Sequence, residues 1–405
     1  MQPSTNPWAA TGPELGRSPA APVHPARRAA AAPPAPPALS ALLAPADIRV
    51  NGERPWDIQV HDARLYRRVL TGWSLAFGES YMDGDWDCEQ LDGLFTRLMR
   101  LGLEHRALGL GRLRLGLALA AAAFTNPQRA ERAFVVGERH YDLGNDLYER
   151  MLDSRMVYSC AYWQHAGTLE QAQLDKLEMI CRKLQLRPGM TLLDIGCGWG
   201  GLARHAAEHH GARVVGITVS REQQALAQRV CAGLPVEIRL ADYRSLQGRF
   251  DRIASVGMFE HVGPKNYAAY FGAAHRLLAD EGLFLLHTIG IDRRASHTDP
   301  WIDKYIFPGG KLPAISELAP AVEPWFVLED WHNFGPDYDR TLMAWHERFE
   351  AAWPELRPHY GDRFRRMWRY YLLSCAGFFR SRQGQLWQLV LSRRERTQGY
   401  RSVRP

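Results

Sequence analysis

The chain has 405 residues, 46% of them hydrophobic and 11% aromatic, which excludes wholesale disorder and leaves room for roughly two to three domains. A formal charge of +6 and a pI near 9.0 favour contact with an anionic surface, although a balance this modest fits a plain solvated exterior equally well. The six cysteines (Cys88, Cys160, Cys181, Cys197, Cys231 and Cys375) form no CxxC pair, so neither a zinc site nor a disulfide framework is expected, and a reducing cytosol fits.

Residues 1–37 hold ten of the 25 prolines among alanines and read as a disordered extension that cannot bury a core. From 38 to 104 the pattern is globular. "DIRVNG" and "IQVHD" read as short strands, "ARLYRRVL" and "LDGLFTRLMR" as amphipathic helices, together a small separate α+β domain. Residues 105–133 include "LGLALAAAAF", too short to cross a hydrocarbon core of about 30 Å. With Arg106, Arg112 and Arg114, this segment is either a linker with a core helix or a basic amphipathic stretch lying on a bilayer. No apolar leader follows the first residues, so a cytoplasmic chain is expected.

From 134 to 405 strands and helices alternate. Strands are expected at "MTLLDIG" (190–196), "ARVVGIT" (212–218), "VEIRL" (236–240), "DRIASV" (251–256) and "GLFLLHTI" (282–289), with helical patterns between them. That alternation predicts an α/β fold with a parallel, doubly wound sheet. "WFVLEDW" (325–331) and "LWQLVLS" (386–392) bracket helical stretches near 338–352 and 362–380 and extend the sheet at its edge, one of them antiparallel.

The first of these strands ends in "LLDIGCGWGG", which places Asp194, Gly196, Gly198 and Gly200 at the carboxyl end, where an open α/β sheet binds its ligand. The GxGxG spacing is neither GxGxxG nor GxxxxGK[ST], which disfavours a nicotinamide cofactor or a nucleoside triphosphate. A carboxylate two residues ahead of bare backbone suits a cationic ligand, and the motif resembles that of S-adenosylmethionine-dependent methyltransferases. Further motifs follow in order from 134 to 393, among them "HYDLGNDLYERML", "YSCAYW", "GMFEHVGPKNY", "LLHTIG", "DPWIDKYIFPGG", "EDWHNFGPDYDRTLMAW" and "YYLLSCAGFFRSRQGQLWQLV". Together they resemble the cyclopropane-fatty-acyl-phospholipid synthase and mycolic acid cyclopropane synthase family. "SLAFGESYMDGDWDCEQLD" upstream resembles the N-terminal domain of its phospholipid-acting branch.

The resemblance implies a seven-stranded Rossmann-like methyltransferase fold and two bound groups, S-adenosylmethionine and bicarbonate. The reaction it implies is methyl transfer to a cis double bond followed by loss of a proton as the three-membered ring closes. Matched motif by motif, bicarbonate would be held by Cys160, Glu260, His287, Ile289 and Tyr338, with Cys160 and Ile289 acting chiefly through backbone groups. A carboxylate beside an anion repels it unless a proton is shared, so Glu260 is expected to share one with bicarbonate or His287. Read alone, Glu260 fits a helix cap and His287 a satisfied core histidine. His261 has no role of its own in this reading.

S-adenosylmethionine would contact Tyr158, Ser159, the loop carrying Asp194, Gly196, Cys197, Gly198, Trp199 and Gly200, then Thr218, Ser220 and Gln223, and finally Asp242 and Tyr243. Thr218 stands where many methyltransferases place an acidic residue, so Thr218 and Gln223 are expected to serve the ribose. Asp242 would accept from the adenine amine, with Tyr243 as a packing surface. Cys375 matches the cysteine sometimes labelled the active-site residue in the family and is carried as a catalytic candidate on that resemblance, although its apolar flanks argue for an inert thiol. The implied substrate is unsaturated phospholipid reached by peripheral membrane contact, assisted by the basic run "RFRRMWR" (363–369), with no nucleic acid and a homodimeric assembly. An amine or other lipid methyltransferase, and a non-catalytic lipid-surface protein, are the competing readings.

Overall fold

The computed structural model describes residues 34–102, 144–295 and 297–404. The extension up to residue 33, the 105–133 segment and the start of "HYDLGNDLYERML" lie outside the described residues. The chain begins with α1 (Pro37–Leu43), β1 (Gln59–Val60), α2 (Arg64–Met82), β2 (Trp86–Asp87) and α3 (Leu91–Leu101). β1 and β2 pair antiparallel, and Val50 bridges Ile58 as the strand-like "DIRVNG" and "IQVHD" suggested.

After α4 (Asn145–Met151) and α5 (Leu169–Lys183), the alternation appears in full. It runs β3 (Thr191–Ile195), α6 (Gly201–His210), β4 (Arg213–Thr218), α7 (Arg221–Val230), β5 (Val236–Leu240), β6 (Phe250–Val256), α8 (Tyr267–Leu277) and β7 (Leu278–Ile291). Then come α9 (Pro300–Tyr305), α10 (Ile315–Val322), β8 (Val327–Asn333), α11 (Pro336–Arg380) and β9 (Gly384–Ser392). The two expected late helices are one element broken at Gly361, whose φ of 73° lies in the left-handed region.

The sheet order is β5-β4-β3-β6-β7-β9-β8, parallel from β5 through β7, with β9 antiparallel between β7 and β8. β3 is covered on both faces, which is why "TLLDI" reads as an unbroken apolar run around one aspartate. Chain order reverses between β3 and β6, which opens a crevice at their carboxyl ends.

The expected N-terminal domain packs closely onto the rest of the chain. Trp86, Leu91, Leu94 and Phe95 share one hydrophobic cluster with Trp345, Trp368, Leu372 and Phe379 of α11. Gly377 lets the helices touch, since a Cβ there would lie 2.6 Å from that of Phe95. The run "RFRRMWR" is largely committed to this joint: Arg363 pairs with Asp83 at 3.2 Å and Arg366 with Asp87 at 2.7 Å, while Arg365 pairs with Glu350 within α11. Its expected role in lipid docking is correspondingly reduced.

Candidate active site

A pocket lies over the carboxyl ends of β3, β4 and β6. The chain leaves β3 through Gly196 (φ 82°), Gly198 (φ 54°) and Gly200 (φ 87°), and no atom lies within 4 Å of a Cβ built on Gly198. Three left-handed residues in alternation make a curved loop of bare backbone that residues with side chains adopt only under strain. Beside it, Asp194 is buried, one of its carboxylate oxygens has no partner, and burial pushes its carboxyl up to about 7. A cation seated there would restore the ionised form. At the end of β4, Thr218 donates to Gln223 Oε1 at 2.7 Å, so the two act as one hydrogen-bonded unit.

The "YSCAYW" loop closes the near side. α5 holds it by two buried polar side chains: Gln173 donates to the Ser159 carbonyl at 2.9 Å and Lys176 Nζ donates to Ser159 Oγ at 2.8 Å. Lys176 is fully buried, and desolvation lowers it to about 8 while it pulls Asp194 back down.

A second, closed region lies at the ends of β6 and β7. Glu260 sits in a 3-10 turn (Phe259–His261), where its Oε1 accepts from Ile289 N at 2.7 Å rather than capping a helix. Its Oε2 is buried without a partner, and burial raises the carboxyl to about 6. His287 is buried; burial and the nearby lysines hold it well below its ordinary range, so it is neutral. Cys160, Ile289 and Tyr338 meet in one small cluster with Phe334, and the His287 ring packs against Phe334 at 5.9 Å.

A family model described as mycolic acid cyclopropane synthetase matches residues 128–389. The chain belongs to this family. Cyclopropane-fatty-acyl-phospholipid synthase of Escherichia coli (strain K12) is 56% identical over 352 residues, 87% of this chain and 92% of that protein. The solved cyclopropane synthase MmaA2 of Mycobacterium tuberculosis is 34% identical, with a TM-score of 0.61 over 64% of this chain and 98% of its own. The cyclopropane synthase CmaA1, solved with SAH and CTAB, is 33% identical, with a TM-score of 0.60 over 64% of this chain and 97% of its own. Coclaurine N-methyltransferase, 21% identical at a TM-score of 0.65, shares the fold. The sheet is thus the Rossmann-like sheet of S-adenosylmethionine-dependent methyltransferases.

Within this member of the synthetase family, the pocket is lined by Tyr158, Ser159, Asp194, Gly196, Cys197, Gly198, Trp199, Thr218, Gln223, Asp242 and Tyr243. Gly200 and Ser220 stand behind it as helix N-caps, Ser220 accepting from Gln223 N. Arg244 binds both oxygens of the Asp242 carboxylate, at 2.8 and 2.6 Å. Arg244 also lies over the Tyr243 ring at 5.3 Å.

His261, set aside in the sequence reading, lines the pocket, with burial lowering it to about 4. Cys375 lies on α11 among the aromatic core and outside the pocket lining, its thiol pushed by burial to about 12. Residues missed in the sequence are Lys176, Lys183, Gln173 and Gln388, all buried. Two lysines on the apolar stripe of "LEQAQLDKLEMICRKL" were the available signal, since a solvated helix keeps its lysines on the other face. One group with metal-ligand chemistry also forms among the described residues, Cys181, His205 and His210, whose ligand atoms lie within 4.8 Å of one another. Both histidine Nε2 atoms already contact Glu178, at 3.3 and 2.9 Å.

Proposed function

We propose that this chain is a cyclopropane-fatty-acyl-phospholipid synthase, which adds a methylene from S-adenosylmethionine across the cis double bond of unsaturated phospholipid acyl chains. The observation that carries this is the adjacency of two unlike regions: an open glycine cradle beside a buried carboxylate, and a largely buried cluster in which Glu260 Oε2 and His287 Nε2 have no protein partner. An amine methyltransferase needs the first only.

S-adenosylmethionine, when bound, supplies an electrophilic methyl group. The chain's part is to hold it: Asp194 offers a carboxylate to its positive end, the 196–200 backbone curves beneath it, and the Thr218–Gln223 unit offers hydroxyl and amide groups to the sugar. An alkene is a weak nucleophile, and the electron-poor carbon it becomes is readily captured by water, so burial around Cys160, Ile289 and Tyr338 protects the reaction. Bicarbonate, when bound, supplies the base that takes the proton. His287 and Tyr338 would hold that anion by donating to it, and Glu260, raised by burial, would share a proton with it. Support for this fit is the pair of buried atoms, Glu260 Oε2 and His287 Nε2, that lack a protein partner.

The substrate lies in a bilayer, and no described helix is long and apolar enough to cross one. We place peripheral contact on α2, where Leu70 (78% exposed) and Trp73 (56% exposed) stand out of the surface near the exposed Arg64 and Arg67. A homodimer completes the reading, to be checked by light scattering. The decisive experiment incubates the protein with S-adenosylmethionine and monounsaturated phospholipid vesicles and analyses the fatty acids by mass spectrometry. A gain of one CH2 with loss of the double bond supports the proposal; methylation that leaves the double bond, or no product, overturns it.

A further inference from the structure

A row of polar side chains crosses the sheet beneath the closed cluster. His287 on β7, Gln388 on β9 and His332 on β8 are direct cross-strand neighbours, and Lys183 from the end of α5 packs onto them. Lys183, Gln388 and His287 are all fully or nearly fully buried. The contacts are short and specific. Lys183 Nζ lies 2.8 Å from Gln388 Oε1 and 3.0 Å from His332 Nδ1, and Gln388 Nε2 lies 3.1 Å from His287 Nδ1.

Donor chemistry gives this row a direction. An ammonium has hydrogens to give and no lone pair, so the amide atom facing Lys183 must be the oxygen. The amide NH2 then faces His287, and because NH2 only donates, Nδ1 must accept. A neutral imidazole that accepts at Nδ1 carries its proton on Nε2. Turning the amide over would set NH2 against the ammonium and a carbonyl against Nδ1, and would reverse the tautomer.

We propose that Gln388, oriented by Lys183, is a positioning residue that locks His287 as its Nε2–H tautomer, so that the ring offers the site a hydrogen-bond donor and not a lone pair. The consequence for the site rests on the reading above, in which His287 holds an anion. With the opposite tautomer the same ring would present a lone pair to an anion, which is repulsive. The lock therefore separates two roles a buried neutral histidine can play, anion holder and general base, and selects the first.

The groups facing Lys183 agree with an ammonium. Asp330 on β8 lies 3.6 Å away and is itself bound by Arg404 and Ser402. His332 is held far below its ordinary range, at about 3, and remains a neutral acceptor. Desolvation and Arg404 act against the charge, bringing Lys183 to about 7, so the ammonium that orients the amide prevails below that pH. The amide does not pass protons in this arrangement; it fixes which nitrogen holds one.

Side-chain 15N NMR of the full-length protein labelled at histidine, with His287 assigned by its loss in His287→Asn, tests the lock directly. The expected wild-type spectrum has a pyridine-like Nδ1 and a pyrrole-like Nε2 at His287 below about pH 7, where Lys183 is an ammonium. Lys183→Met and Gln388→Met are each expected to give mixed tautomers and to lower kcat at saturating S-adenosylmethionine by about 10-fold to 100-fold. The double variant is expected to be no worse than the poorer single one, because both act through one bond. A pyrrole-like Nδ1 in the wild type overturns the lock, as does an unchanged His287 spectrum in Gln388→Met. The wild-type spectrum decides the matter even if a variant does not fold. A locked tautomer that mixes in Gln388→Met while kcat stays at the wild-type value leaves the lock standing and overturns the anion-holding role of His287 instead.

Discussion

The two halves of the crevice are built on opposite principles. The half over β3, β4 and β5 is open and made of backbone: three left-handed glycines, a short hydroxyl–amide pair and one buried carboxylate. The half over β6, β7 and β9 is closed and made of side chains, each fixed from behind, as Glu260 is by Ile289 N and His287 by Gln388. A ligand can enter the first without disturbing the core, whereas the second has its polar atoms set in advance and costs desolvation to assemble. On the proposed reading, binding and proton transfer are divided between a surface that accommodates and an interior that is preorganised.

The sharpest test of that division is Glu260→Gln. Loss of the shared proton is expected to lower kcat by about 100-fold to 1,000-fold with little change in KM for S-adenosylmethionine. Stability should move the other way. Because burial raises the carboxyl from 4.5 to about 6, the folded chain holds that proton more tightly than the unfolded one. The resulting penalty is absent below pH 4.5, grows up to about pH 6 and is complete above it, on the order of 2 kcal/mol. In bicarbonate-free buffer near neutral pH the variant is expected to melt higher than the wild type, and near pH 4 the two should converge. A lower Tm at neutral pH would contradict an ionised, buried Glu260.

Gly196→Val probes the open half. It demands a left-handed β-branched residue and sets a Cβ 2.8 Å from that of Met258. KM for S-adenosylmethionine is expected to rise about 10-fold to 100-fold, with kcat at saturation affected far less. A collapse of kcat alone would break the distinction between the halves.

Lys176→Met reaches the boundary between them. Removing the ammonium lets burial push Asp194 further above 7, so more of it is protonated near neutrality and a cationic ligand binds more weakly. Calorimetry with S-adenosylmethionine is expected to show about a 3-fold to 10-fold loss of affinity near pH 7, recovered as pH rises. A pH-independent loss would assign Lys176 to packing alone. The smallest effect is expected from Cys375→Ala, whose activity should stay within about twofold of the wild type because a thiol raised to about 12 supplies no nucleophile.

The open half was legible in the sequence because its signal is local. "LLDIGCGWGG" and "TVSREQ" put the glycines, Asp194, Thr218 and Gln223 within short runs at strand ends, and the strand periodicity located those ends to within a few residues. The closed half was legible only through family resemblance, since Cys160, Glu260, His287 and Tyr338 are far apart in the chain and each is unremarkable alone. The supporting residues escaped both routes. Gln388 looks like one polar residue in an apolar strand, and Lys183 like the basic end of a helix; only the β7–β9 register and the seating of α5 bring them to His287. The salt bridge from Asp242 to Arg244, two residues on, was not anticipated. The N-terminal part was legible as a unit in composition, but its contact with α11 was not, because that shared cluster joins residues far apart in the chain.

β9 lies between β7 and β8 although it follows both in the chain. β8 joins the sheet through β9 alone, so residues 384–392 are what connects this edge strand to β7. The strand that closes this edge is also the one that brings Gln388 to His287. One strand therefore ties together the outer edge of the sheet and the polar row behind His287, so a change that loosens β9 acts on both at once.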